Sequence, residues 1–460
     1  MGTNRRPRGS TENILAYCDQ IDALTECIRI EVQGGPTPPD PPDVDVVPIG
    51  PGDDLQAALE NGGLMVLEAG ADFTSPSGFM VNTTPAYLRG QGQNVLRAEH
   101  EETISIPPGV ESVRLENFEV AVQNGTVGVL IGRNDSAQTD IGQVPMGVVV
   151  RKITSQSLRG KRAIEVNGGD VEIHECEVRD LYSPVSQDSQ AICILNTPGP
   201  VLVDGGYYEA ASENILVGGD QMKIPGVRPS NLTFRHLTLF KPLEWKTAGV
   251  PVKNIFELKD GHNVLIEDCT LQNCWKSGQD GYGFMLTPTR GGSLRGVVIR
   301  NCQMRDVGGI VNITGIDTNY PNEPRTQIDI IGGDFRTNKT QMGGSGRFCL
   351  IGRGPEYFRV EGANIVHEGS AFIDCSDKSP IDTLSVRNCN WNYGSYGIRI
   401  GGYNHGDNQL GIIRTITIEG NVISGAHSQF RERYPNNTYT ALMSRERERE
   451  VDEAPYVFEP

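Results

Sequence analysis

Apolar and polar positions along this chain follow a motif that recurs. It reads apolar, any, apolar, any, a small or polar residue, two free positions, then apolar. Copies are VRLENFEV from Val113, VVVRKITS from Val148, VEIHECEV from Val171 and VLVDGGYY from Val201. They continue as LTFRHLTL from Leu232, VLIEDCTL from Val264, VVIRNCQM from Val297 and IDIIGGDF from Ile328. The last are FRVEGANI from Phe358, LSVRNCNW from Leu384 and ITIEGNVI from Ile416. Successive copies start between 23 residues (Val148 to Val171) and 35 residues (Val113 to Val148) apart. A period of roughly thirty residues with strand-type alternation marks a solenoid, each repeat being one coil. The fifth position is a bend, often Asn, Gly or Asp, which tolerate left-handed backbone angles. The sixth carries Cys176, Cys269, Cys302 and Cys389, and elsewhere Phe118, Ile153, Leu237 or Ala363. Stacked coils line these side chains up in the core, so the cysteines read as buried free thiols. A second strand follows in most coils, as in AIEVNG, IFELKDG, GFMLTP and YGIRIGG.

The ends break the pattern. Ser10 and Thr11 precede apolar positions at Ile14, Leu15, Ile21, Leu24, Cys27 and Ile28, the spacing of a capped amphipathic helix. Residues 1–35 are therefore expected to form a helical anchor, and 36–50, rich in Pro and Asp, a stiff linker. The remaining expectations are an N-terminal cap over 51–110, the solenoid over 111–427 and a short cap or tail over 428–460. That tail includes the charge run RERERE at 445–450.

The segment DDLQAALENGGLMVLEAGADF from Asp53, followed by TPAYLRGQGQNVLRA from Thr84, resembles the opening cap of the pectate-lyase-like β-helix superfamily. There a short helix and a strand cover the first coil, which would otherwise expose core and strand edges. The stretches ENILVGGDQMKIPGVRPSNLTFRHLTLFKPLEWK and VKNIFELKDGHNVLIEDCTLQNCW are similar to a group of bacterial and phage β-helix proteins. The fold class expected is all-β, a right-handed parallel β-helix with a helical N-terminal anchor and a short C-terminal tail. The resemblance transfers no catalytic residues.

Composition narrows the partners. The formal net charge is −17 over 460 residues, which argues against nucleic acid. No apolar run reaches the length of a membrane span, and MGTNRRPRGS has no apolar stretch of the secretory kind. No nucleotide loop or zinc spacing calls for a cofactor or metal.

A β-helix leaves a long shallow groove on one sheet, and glycan recognition there uses rings, carboxylates and amides. Outward positions on the second strand and its turn are Glu165, Asn167, Asp170, Asp220, Glu257, Lys259, Asp260, Asp280, Arg353, Asp374 and Arg399. Nearby rings are Trp245, Trp275 and Tyr282. The densest run is FELKDGHN, with WKSGQDGYG one coil later. Glycosidic cleavage needs two carboxylates at a set separation. Glu257, Asp260 and Asp280 are thus the catalytic candidates, and Trp275, Tyr282, Lys259, Arg353 and Arg399 the substrate-binding ones. Polar residues on any outer strand face are more often plain surface, so three functions stay open. One is a phage virion surface protein, tailspike-like or a capsid decoration, that binds host-surface polysaccharide and joins other virion proteins through its N-terminal segment. The others are a polysaccharide lyase or hydrolase, and a purely structural β-helix. A homotrimer is an open arrangement for the first.

Overall fold

The computed structural model describes residues 46–121, 127–156, 159–183, 188–375 and 377–441. The expected anchor, most of the linker and the RERERE run lie outside them. The described chain is a right-handed parallel β-helix. Its strands form one sheet of 26 and one of 12, and every strand pairing is parallel. Each coil contributes to three ladders, met in chain order. In one coil these are Gly261–Glu267, Thr270–Cys274 and Tyr282–Leu286. Two long strands, Gly169–Leu181 and Val201–Ala210, run through the first and second ladders and merge them into the larger sheet.

The eleven sequence copies are the rungs of the first ladder, in register. Val113 stands beside Val148, then Val171, Val201, Leu232 and Val264. Val297, Ile328, Phe358, Leu384 and Ile416 continue the row. Burial explains the fidelity, because a one-residue slip would turn every core side chain outward. The fifth position is left-handed in all eleven, including residues that do not favour it: Lys152 (φ 50), Glu175 (φ 51) and His236 (φ 57). The bend is imposed by the stack and not by local propensity. The sixth-position cysteines are free and buried. The same ladder reaches back through Ala86–Gly90 and Gly63–Leu67 to Val46–Ile49, so coil pairing begins well before Val113.

Both ends are closed. Helix Leu55–Asn61 is capped by Asp54, which accepts from the Ala57 N–H at 3.0 Å, and it buries Leu55 and Leu59. At the far end helix Ser428–Arg433 buries Phe430 against Trp391 and Tyr393. Strand Thr438–Thr440 adds a last rung to the second ladder.

The outer face of the first ladder is sealed by charge. Directly opposed residues on neighbouring strands alternate in sign. The pairs are Arg151–Glu116 (3.6 Å), Arg235–Asp204 (2.8 Å), Arg300–Glu267 (3.4 Å), Arg359–Asp329 (2.6 Å) and Arg387–Glu419 (3.1 Å). The row of Asp329 and Arg359 lies two residues earlier on each strand than the other pairs, and it includes the buried Val149, Leu202, Leu265 and Val298.

Candidate functional site: a groove on the third ladder

The third ladder alternates strictly. Its outward row runs Glu165, Cys193, Leu216, Glu257, Met285, Asn312, Leu350, Asp374, Arg399. Adjacent strands lie ~4.8 Å apart, so the row is a track along the long axis.

The first part of the track is covered. Glu257 is 3% exposed, and its carboxyl is hydrogen-bonded to that of Glu213, itself buried. Lys259 Nζ stands 3.3 Å from Glu257 Oε1, and Asn254 Nδ2 donates to Oε2 at 3.4 Å. Glu213 also accepts from Gln190 Nε2 at 2.8 Å. Burial, then the neighbouring Glu213, push the Glu257 carboxyl up to about 7 against the pull of Lys259. A carboxyl beside a second carboxyl keeps its proton to higher pH.

The second part is open. Lys276, Gln279, Asp280, Tyr282, Met285 and Asn312 line a hollow of about 400 Å³. Asn312 also belongs to an adjoining hollow of about 410 Å³ with Pro288, Thr314, Leu350, Arg353 and Asp377. Beyond it, Arg347 and Arg399 hold Asp374 at 3.3 and 3.4 Å, and the Arg399 guanidinium lies 5.4 Å from the ring of the exposed Tyr396.

The expected residues therefore separate. Asp280, Tyr282 and Arg353 line the open groove, and Arg399 sits at its end. Glu257 and Lys259 lie in the covered part. Asp260 leaves the row altogether. It is 5% exposed, accepting from Arg228 Nη1 and from the Ser293 N–H, both at 2.9 Å. Burial raises it to about 6, with those two partners opposing. In the same network His262 Nε2 meets Ser293 Oγ at 2.8 Å, and burial lowers that imidazole to about 4. Trp275 turns inward and is 4% exposed, in a satellite cluster with Trp245, Val252 and Met342, so it offers no ring face to a sugar. Tyr282 is 1% exposed and reaches Ser345 Oγ through its hydroxyl at 3.1 Å. Asp280 is exposed and pairs with Lys276 at 3.3 Å. Asn312, Arg347 and Tyr396 were not singled out from sequence. The signal for Asn312 was there, a polar residue at the outward place of the apolar run GIVNITG.

A carboxyl pair for glycosidic cleavage must reach the scissile bond from both sides. Glu257 and Asp260 point to different surroundings and both are buried; Asp280 alone of the three is open to solvent. Among the described residues no group of three or more His, Cys, Asp or Glu is placed to hold a metal ion. Among them, too, no helix is long and apolar enough to cross a membrane.

No protein-family model matches the chain, and no curated protein does. Solved structures do. The catalytic domain of a GH87 alpha-1,3-glucanase in complex with nigerose has 14% identity over 84% of this chain and 70% of that one, TM-score 0.49. A tailspike protein variant of E. coli bacteriophage HK620 in complex with pentasaccharide has 15% identity over 85% and 70%, TM-score 0.47. The Streptococcus pneumoniae surface protein and adhesin PfbA has 9% identity over 86% and 98%, TM-score 0.49. At these identities and TM-scores the likeness says nothing of function, and the class of this chain, a parallel β-helix, rests on its own strand pairing.

Proposed function

We propose that the protein is a virion surface protein whose β-helix binds a host-surface polysaccharide along the third-ladder groove, with the segment before Val46 joining it to the particle. One observation carries the binding role. The groove floor and walls present free polar groups over several coils, while two of the three catalytic candidates are withdrawn from it. The Asn312 amide and the Arg353 guanidinium take no partner among the described residues, and both reach solvent. A chain of sugars needs this kind of surface, with amides and charges for its hydroxyls spaced along a track.

The Glu257 carboxyl, pushed up to about 7, favours a second reading as a polysaccharide hydrolase, because a general acid needs its proton near neutral pH. One experiment separates the two. The full chain is run through gels containing single bacterial polysaccharides, and the same polysaccharides are assayed for new reducing ends. Retardation without product is the expected result. Product formation that Glu257→Gln abolishes would replace binding with hydrolysis, and neither retardation nor product across the panel would end both readings.

A further inference from the structure

The two hollows of the groove differ in chemistry, and the difference selects a sugar. We infer, resting on the glycan-binding reading, that the second hollow takes an acidic sugar carrying a methyl-terminated acyl group, such as an N-acetylated sugar acid. Its rim carries Arg353, exposed, with a guanidinium that makes no ion pair or hydrogen bond among the described residues. Elsewhere on this molecule arginines are typically tied to a carboxylate, as at Asp329, Asp374 and Glu267. An unpaired guanidinium at the edge of a concavity offers a planar fork that matches a carboxylate.

Part of the lining is apolar, beside the hydroxyls of Thr287, Thr289 and Thr314. Pro288 and Leu350 line the hollow, and Leu350 holds the outward place of its strand while remaining partly exposed. An apolar outward residue left open to water at the floor of a groove gains by covering, and a methyl group is the smallest cover a sugar carries. In the same hollow the Asn312 amide, on the strand beside Leu350, is able both to donate to and to accept from an acyl amide. Asp377 also lines this hollow. Its carboxylate is turned to the loop, Oδ2 taking the Arg353 N–H and Oδ1 the Ser379 N–H at 2.9 Å. Those two donors offset its charge toward an anionic ligand. Carboxylate, acyl carbonyl and methyl thus each meet a matching group within one hollow of about 410 Å³.

The test uses the full chain and four probes in affinity gels. Polysialic acid carries carboxylate and N-acetyl on each residue. Polygalacturonate has the carboxylate alone, glycol chitin mainly the N-acetyl, and dextran neither. Polysialic acid is expected to bind about tenfold more tightly than glycol chitin, the worth of one charge-assisted contact. Arg353→Gln, which keeps the left-handed backbone and the bulk, should erase that advantage and leave binding of glycol chitin unchanged. Binding of dextran or polygalacturonate as tight as that of polysialic acid would overturn the inference while leaving a glycan groove in place. So would an Arg353→Gln variant that keeps the preference. No retardation by any probe would remove both the inference and the reading beneath it.

Discussion

The outer faces of the first and third ladders are built from strands of the same coils at the same spacing, and they end up opposite in character. On the first, charges find partners straight across the ladder, one coil away, as with Asp329 and Arg359. Alternating signs on opposed positions close the surface without any loop. On the third, the outward row mixes Leu216, Met285 and Leu350 with Glu257, Asn312 and Asp374, and direct opposition satisfies few of them. Their partners come from flanking loops, Asn254 for Glu257 and Arg347 for Asp374 among them. Where the loops cover the row it is closed, and where they stand aside the hollows open. The lesson is that in a solenoid an unmatched row, more than a charged one, marks a surface kept for something else.

If the first face is only a seal, damage there should cost stability and spare binding. Asp329 is the sharpest place to ask. It is 5% exposed, and Arg359 contacts both its oxygens, with Nη2 donating to Oδ2 at 2.7 Å. Burial still pushes its carboxyl above the usual range, so the site is costly and the partner necessary. Asp329→Ala takes the carboxylate from the mostly buried guanidinium and should cost about 3 kcal/mol in urea unfolding. Polysaccharide retardation should not change; weakened retardation at full stability would mean that the first ladder carries the site.

The covered part of the third ladder should answer to pH instead. The Glu257 carboxyl is held at about 7 in the fold against an ordinary 4.5. Between these values the folded state binds more protons than the unfolded one, so this group's contribution to stability falls as pH rises from about 4.5 to about 7. Glu257→Gln removes that loss. Relative to the parent, the variant should gain on the order of 3 kcal/mol between pH 4.5 and pH 8. Parallel stability curves would mean that the Glu213–Glu257 contact does not hold the proton.

The two faces also differ in how far sequence exposes them. The first ladder was legible to the residue: all eleven copies pair as their spacing implies, because core burial punishes any slip at Val113, Val264 or Ile416. The cysteine row followed from the same register. The third ladder's strands were legible too, and Glu257 does occupy an outward position. What the sequence could not carry was the covering. Glu257 meets Glu213, 44 positions earlier (257 − 213). Asp260 is claimed by Arg228, and Trp275 is drawn under the helix Leu243–Ala248 through Trp245. Those contacts arise from loops of different coils meeting across the stack, at separations that no local pattern encodes. The rungs at Gly63–Leu67 and Ala86–Gly90 pair in the same ladder although they lack the full repeat.

The smallest effect is the one that tests the seal most directly. Arg387 places Nε 3.1 Å from Glu419 Oε1, and the two side chains are 25% and 43% exposed. Exposed pairs are screened by water and salt, so Arg387→Gln should cost about 0.5 kcal/mol or less, and nothing measurable in high salt. Arg353→Gln on the other face should cost as little in stability, for a different reason: that guanidinium has no partner to lose. The two substitutions are then matched in chemistry and in stability, and differ only in the face they alter. Loss of glycan retardation with Arg353→Gln alone assigns the function to the unmatched row. Equal loss with both would mean that retardation reads the protein's overall charge, and the contrast between the two faces would hold for packing only.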